Sequence, residues 1–239
     1  MSKFGRSVID FARANSPFFK SGTTQATPLS TPTYWNAIYN KLKGENFEWA
    51  VEPTSLVPTY QTVDGAMHAS LTPGRWLVVG NGTSNLPQVM KEAGGKDVEV
   101  TACDFSDTVV RQMQSRQPGV EWVEMDCRSG IGEEEWDGVI DKGLIDGLYL
   151  AKDAEGVGKV SKSISRGLVA GGRWLTVSYT KKDYLSPLLG KGEWAKITSE
   201  ELENVYLYNL LKRGEGDNGG RGGRGKGGGR RRRGRRRSR

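Results

Sequence analysis

The residues with chemistry to offer in this chain of 239 amino acids gather at the ends of four short apolar runs. The first run, in LVVGNGTSNL, ends at Gly80 and Gly82. Residues without a Cβ let a ligand approach the backbone, and a helix that follows them presents unpaired N–H groups. Asp104 follows the second run, 24 residues beyond Gly80. A carboxylate there can accept hydrogen bonds from both hydroxyls of a ribose, and Phe105 beside it can cover one side of an adenine. The third run ends in Met125, Asp126 and Cys127, the fourth in Ile140, Asp141, Lys142 and Gly143. Taken singly, each is a polar loop, and Asp104 is a helix cap in a place where Ser106 would serve as well. Taken together they describe a nucleoside site. Only two of the three glycines of a dinucleotide fingerprint are present, and the downstream groups of a nicotinamide enzyme are missing.

Those ends need a scaffold, and the hydrophobic periods supply one. Tyr34, Trp35, Ile38, Tyr39 and Leu42 lie at three-to-four spacing, one face of a short helix, and a further short helix is expected from Leu56 to about His68. From Arg75 the pattern changes to compact apolar runs: Trp76 to Val79, Val98 to Ala102, Val120 to Met125, Trp136 to Ile140 and Trp174 to Tyr179. Helical stretches separate them: around Leu86 to Ala93, a Ser106-capped segment with Val109, Val110 and Met113, then Leu144 to Leu150 and Val160 to Val169. Strands alternating with helices predict right-handed βαβ units and a parallel sheet. Trp194 to Ile197 and Val205 to Leu211 are too close together for a crossover and predict an antiparallel edge. The fold class that follows is α/β, a Rossmann-like, mostly parallel sheet of seven strands with helices on both faces.

Composition divides the chain into three parts. Residues 1–33 read as a lead and linker, 34–213 as one folded domain with an N-terminal helical cover, and 214–239 as a disordered Gly/Arg-rich tail. The tail holds 11 of the 33 glycines and 11 of the 35 basic residues against two acids, leaving 24 basic and 26 acidic residues in 1–213. The net charge of +7 therefore belongs to the appendage. A chain so poor in burial-worthy side chains and so self-repelling cannot form a core. Two cysteines and one histidine exclude a disulfide framework and a Cys/His zinc site, and point to a reducing compartment. No run is long enough to span a membrane, and no secretory leader is expected.

With these segments in view, the sequence resembles the class I, seven-stranded S-adenosylmethionine-dependent methyltransferases, and among them the eukaryotic protein-lysine methyltransferases that act on translation elongation factor 1A. The segments that carry the resemblance are YWNAIY, FEW, LVVGNGTSNL, ACDFSDTVVRQMQSR, VEWVEMDCR, WDGVIDKGLIDGL and GLVAGGRWLTVSY. The resemblance implies that S-adenosylmethionine is the methyl donor, S-adenosylhomocysteine the product, and no metal takes part. It places Trp35, Tyr39 and Trp49 in the donor site from the cover, Gly80 at the methionine portion with Gly82 also in the donor site, and Asp104 at the ribose with Phe105 beside it. Asp126 and Cys127 would border the adenine, and Lys142 would face the donor. Asp141 and Asp146 are candidates for the substrate side. The sequence departs from the family at GNGTS, where relatives read GCGNS, and in the short SYTKKDYLSPLLGKGEW after the fifth strand.

The resemblance implies a protein substrate, with elongation factor 1A as one candidate, in the cytoplasm. Methylation of a small molecule or of another protein fits the same cover. A further alternative is a methyltransferase fold of weak turnover that binds RNA, ribosomes or an acidic protein through residues 214–239, a stretch that would also serve as a nuclear-entry signal.

Overall fold

The computed structural model describes residues 29–43, 45–56, 71–202 and 205–214. Most of the lead, most of the helix expected from Leu56 to His68, and the tail from residue 215 onward lie outside the described residues.

The first element is α1 (Pro32–Leu42), which buries Tyr34, Ile38, Tyr39 and Leu42 on one stripe and begins with Pro32, where a missing N–H costs nothing. After it run β1 (Gly74–Val79), α2 (Leu86–Gly94), β2 (Val98–Asp104), α3 (Asp107–Arg116) and β3 (Glu121–Glu124). Next come β4 (Trp136–Lys142), α4 (Leu144–Leu150), α5 (Ala154–Gly167), β5 (Leu168–Ser178), α6 (Lys182–Leu189), β6 (Trp194–Leu202) and β7 (Val205–Lys212). Two helices start on side-chain caps: the Val109 amide donates to Ser106 Oγ at 3.3 Å, and the Gly156 amide to an Asp153 carboxylate oxygen at 2.7 Å.

The seven strands form one sheet in the order β3-β2-β1-β4-β5-β7-β6. The pairings from β3 to β5 are parallel, and β7 pairs antiparallel with both β5 and β6. Successive residues of β1 point to opposite faces, so Trp76 and Val78 join one apolar layer while Leu77 and Val79 join the other. The first layer is closed by Tyr34 and Ile38 of α1, Leu86 and Met90 of α2 and Val109 and Met113 of α3. The second is closed by Ile145 and Leu148 of α4, Val157, Val160 and Ile164 of α5, and Leu185 and Leu189 of α6. The strand order reverses between β1 and β4, which opens a crevice at their carboxyl ends.

Two details differ from the sequence expectation. The helix expected through Val169 stops at Gly167, and β5 already begins at Leu168. Its register with β4 jumps from Trp136↔Leu168 to Gly138↔Arg173, so Val169 to Gly172 bulge out of the ladder, with Gly171 at φ 77°. Gly171 and Gly172 thus sit in a bulge inside a strand. The segment Lys182–Leu189 forms a helix that the sequence conceals behind Pro187. Proline removes one N–H, but Leu185 and Leu189, one turn apart, are fully buried against α5 and hold the helix.

Candidate functional site

The crevice at the β1/β4 switch is a cavity, and its walls are largely the residues singled out from the sequence. Gly80, Gly82, Asp104, Phe105, Asp126, Cys127 and Lys142 line it from the sheet, and Trp35, Tyr39 and Trp49 from the cover. Ser30, Asn81, Thr83, Ser84 and Arg128 add to the polar lining, and Gly143 lies in the wall beside Lys142.

The floor is the turn after β1. Gly80 and Gly82 adopt φ 60° and 57°, the left-handed region that favours glycine. A Cβ on Gly82 would lie 2.9 Å from the Tyr39 hydroxyl, and one on Gly80 would lie 3.0 Å from the Leu144 side chain. Asn81 ties the turn: its Nδ2 donates to Gly82 O at 3.3 Å and to Ser84 O at 3.0 Å. Two carbonyl partners fix the amide's orientation and leave Oδ1 buried without a hydrogen bond.

Asp104 is 3% exposed at the carboxyl end of β2. Its Oδ2 accepts from the Gly82 amide and its Oδ1 from the Ser106 amide, both at 3.0 Å. Ser106, not Asp104, caps α3, so this carboxylate is spent on the turn and the cavity. Burial pushes its pKa up to about 6, against the downward pull of the Ser106, Gly82 and Phe105 amides. Each oxygen still has acceptor capacity to spare.

Asp126 lies after β3 and is forked by Arg128, with Arg128 Nη2 to Asp126 Oδ2 at 2.7 Å and Nε to Oδ1 at 2.9 Å. Burial raises the Asp126 carboxyl, and the Arg128 hydrogen bonds outweigh it, so the pKa lies below the ordinary value. The guanidinium also sits 5.6 Å from the Phe105 ring centroid and donates to Ser30 O at 2.9 Å, joining the cover to the sheet. Cys127 is a buried free thiol whose pKa burial drives upward.

The roof is aromatic. Trp35 stacks on Tyr39, with ring centroids 5.8 Å apart, and its Nε1 donates to Leu29 O at 2.7 Å. Trp49 Nε1 donates to Asp146 Oδ2 at 3.1 Å, and its ring covers Gly143, where a Cβ would come within 2.3 Å of it. Asp146 also accepts from Ser178 Oγ, from the Tyr179 amide at 3.1 Å and from Thr180 Oγ1 at 3.3 Å. Asp141 is fully buried, accepts from Trp174 Nε1 at 2.9 Å, and has a pKa raised to about 7, chiefly by burial. Neither Asp141 nor Asp146 is among the described residues that line the cavity.

Sequence reasoning passed over Arg128, which lines the cavity, and Glu48, which stands inside the quoted FEW and pairs with a lining residue. The Glu48 carboxylate accepts from Ser84 Oγ at 2.6 Å and from the Asn85 amide at 2.8 Å, and forms an ion pair with Lys142 Nζ. Lys142 Nζ donates in addition to Val51 O at 2.8 Å. Burial lowers the Lys142 pKa, and Glu48 opposes it. Beside this pair, the Phe47 amide donates to Thr83 Oγ1 at 3.0 Å. An acid flanked by two aromatics was the available signal for Glu48; what no spacing shows is that it meets Lys142 across 94 residues. Among the described residues, no group of three or more His, Cys, Asp and Glu side chains is arranged to hold a metal ion.

No family model matches the chain. The eEF1A lysine and N-terminal methyltransferase of Xenopus laevis is 28% identical over 178 residues, which cover 70% of this chain and 24% of that protein. The Homo sapiens protein of the same name is 25% identical over 166 residues, covering 66% and 22%. This chain therefore spans about a quarter of the length of the curated relatives it matches. Among solved structures, human N-acetylserotonin methyltransferase in complex with S-adenosylmethionine aligns over 89% of this chain and 67% of its own, with TM-score 0.58 and 13% identity. A TehB-like S-adenosylmethionine-dependent methyltransferase from Corynebacterium glutamicum aligns over 78% and 100%, with TM-score 0.51 and 14% identity. The chain has the fold of the class I S-adenosylmethionine-dependent methyltransferases and is distantly related in sequence to the elongation factor 1A methyltransferases.

Proposed function

We propose that this chain binds S-adenosylmethionine in the β1/β4 crevice and transfers its methyl group to a protein amine, with a lysine side chain as the acceptor. The observation that carries the donor site is the convergence of the Gly80–Gly82 turn, Asp104 and Asp126 on one cavity beneath Trp35, Tyr39 and Trp49. The fit is testable on the residues themselves. The turn leaves no room for a Cβ at Gly82, Asn81 Oδ1 is a buried acceptor in need of a donor, and Asp104 keeps free acceptor capacity for two hydroxyls. Asp104 would hold the ribose, Phe105 and Cys127 would border the base, and the indoles and Tyr39 would offer electron-rich faces to a cation.

The donor supplies a methyl group on a positively charged sulfur, already activated for transfer. The protein's task is then alignment and exclusion of water. Trp49, anchored by Asp146, and Trp35, stacked on Tyr39, close the cavity from above. An amine entering beneath them loses hydration, which favours its neutral, nucleophilic form. The protein acceptor rests on the sequence relationship to methyltransferases whose name specifies lysine and N-terminal amines of elongation factor 1A. Both are primary amines, and elongation factor 1A is the first substrate to try.

The test has two parts. Calorimetric titration of S-adenosylhomocysteine into the full chain should show saturable binding, lost in Asp104→Ala; absence of binding by a folded protein overturns the donor site. Incubation with elongation factor 1A and isotopically labelled donor should place label on a lysine, located by mass spectrometry. Donor binding with label only on small-molecule acceptors would keep the methyltransferase and overturn the protein acceptor.

A further inference from the structure

A second concave surface lies beyond Arg128, outside the donor cavity, lined by Lys159, Lys162, Ser163 and Arg166 of α5 and by the loop 128–133. A helix turns about 100° per residue, so Lys162, Arg166, Lys159 and Ser163 fall in that order within about 100° of its surface. Ser163 stands at the inner edge of this strip, next to the buried Val160 and Ile164, and the three cations are exposed along it. The loop is pinned to the end of the helix: the Glu134 amide donates to Arg166 O at 3.0 Å and the Glu135 amide to Gly167 O at 2.8 Å. Gly167 lets Ile131 pack there, since a Cβ on it would lie 2.4 Å from the Ile131 side chain. The backbone of both walls is thus fixed by the fold.

The charges along the groove are not equally available. Arg128 is forked by Asp126 and lies 3.8 Å from Asp153, and Lys159 pairs with Glu155 at 2.8 Å. For Lys162 and Arg166, no carboxylate lies in ion-pair range among the described residues. They are four residues apart, where Cβ atoms are about 5–6 Å from one another, close enough for both to reach one small anion. An independent observation marks the same place as a ligand surface. Ser163 is 7% exposed, and its Oγ is buried with no hydrogen-bond partner. A buried hydroxyl without a partner is costly unless a ligand supplies one. In the loop, the Gly130 and Gly132 amides make no backbone hydrogen bond among the described residues. The lining therefore offers cations, a hydroxyl and amides against one carboxylate, Glu133.

We infer that this groove binds a phosphate group, as the free ion or as the monoester of a small molecule, with Lys162 and Arg166 on its oxygens and Ser163 Oγ donating a hydrogen bond to it. Phosphate suits the lining better than a carboxylate because it has more acceptor oxygens, enough for a guanidinium fork, an ammonium and a hydroxyl together. The groove is separate from the donor site, and its occupancy does not depend on whether the β1/β4 crevice binds S-adenosylmethionine.

The test is residue-resolved: proton–nitrogen correlation spectra of the isotopically labelled full chain, titrated with sodium phosphate while sodium chloride holds the ionic strength constant. The amides of Gly130, Gly132 and Ser163 should shift together and saturate with a Kd of about 1 mM or tighter. Ser163→Ala should weaken binding about tenfold, the worth of a hydrogen bond to a charged group, yet leave the melting temperature unchanged or higher, because the hydroxyl it removes has no protein partner. Lys162→Gln with Arg166→Gln should weaken it at least about tenfold. Lys96→Gln with Lys196→Gln, which removes the same charge from exposed positions elsewhere, should leave the Kd within about twofold of the parent. Glycerol phosphate titrated beside inorganic phosphate separates the two sources: the tighter ligand is the form the groove takes, and equal affinity assigns it to the phosphate group alone. Three results overturn the site: groove amides whose shifts still rise linearly at about 20 mM phosphate, equal losses in the two double variants, or a folded Ser163→Ala that binds as tightly as the parent.

Discussion

Glu48→Gln separates the charge of Glu48 from its shape. The carboxylate links three partners, and the amide that replaces it keeps an acceptor for Ser84 Oγ or the Asn85 amide. What it cannot keep is the counter-charge of Lys142, whose side chain is 3% exposed. Removing one partner of a buried pair costs about 3–5 kcal/mol. The low end applies here, because Glu48 is 13% exposed and Val51 O still accepts from Nζ at 2.8 Å. There is also a ceiling, since neutralising a lysine at pH 7 costs about 4.6 kcal/mol. A loss of about 3 kcal/mol follows, which for a domain of this size lowers the melting temperature by roughly 6–12 °C. Urea unfolding followed by tryptophan fluorescence measures it. Adding Lys142→Met removes the orphaned charge and should restore about 2 kcal/mol or more. A single variant that loses less than about 1 kcal/mol, or a double variant no more stable than the single, would refute the claim that this ion pair latches the cover to the sheet.

Four further outcomes follow from the same geometry. Affinity for S-adenosylhomocysteine should fall about tenfold per pH unit below pH 6 and level off above it, because Asp104, with its pKa raised to about 6, must be ionised to accept two hydroxyls; Asp104→Asn should bind weakly with no such dependence. Asp141 holds its proton in the folded state to about pH 7, so the native protein binds more protons than the unfolded chain and stability falls as pH rises from about 4 to 7. Asp141→Asn should flatten that slope in melting curves. Gly143→Ala sets a Cβ 2.3 Å from the Trp49 ring at φ 89°, and should cut S-adenosylhomocysteine affinity at least about tenfold by displacing the roof, as titration would show. Saturating S-adenosylhomocysteine, at about 100 times its Kd, should slow exchange of the α1 amides by up to about 100-fold if the cover opens separately from the sheet; unchanged α1 exchange would refute a ligand held between the two.

The sheet was legible because its signal is local. Runs such as WLVV, bounded by glycines and separated by helix-length segments, leave few alternatives to parallel βαβ units. Strand ends were harder to place. Asp104 and Lys142 fall inside β2 and β4, whereas the apolar runs suggest strands that end before them, since buried polar side chains break the pattern that defines a buried strand. The same principle hid α6, whose proline outweighs two leucines until the packing against α5 is seen. Asp141 and Asp146 illustrate the limit for the site. Their types and position suit a substrate contact, but one is bound to the Trp174 indole and the other to Trp49 and the end of β5. A sequence shows which carboxylates stand at strand ends and not which of them the fold has already engaged.

The walls of the cavity belong to two parts of the chain that meet only through tertiary contact. The sheet supplies Gly80, Asp104, Asp126 and Lys142, and the cover supplies Trp35, Tyr39 and Trp49, with Glu48 paired to Lys142. Apolar burial of Tyr34, Ile38 and Leu42 holds the cover in place but does not set its register over the crevice, because such contacts are non-directional. The register comes from Glu48 with Ser84, Asn85 and Lys142, from Trp49 with Asp146, from the Phe47 amide with Thr83 and from Arg128 with Ser30. These are directional bonds, and every one of them joins the cover to a residue at or beside a strand's carboxyl end. Asp146 therefore acts on the site without touching its cavity, by fixing the indole that does, and Lys142, itself in the lining, ties the cover down by holding Glu48. Substitution at either should loosen the aromatic roof before it disturbs the floor on which Asp104 and the glycine turn sit.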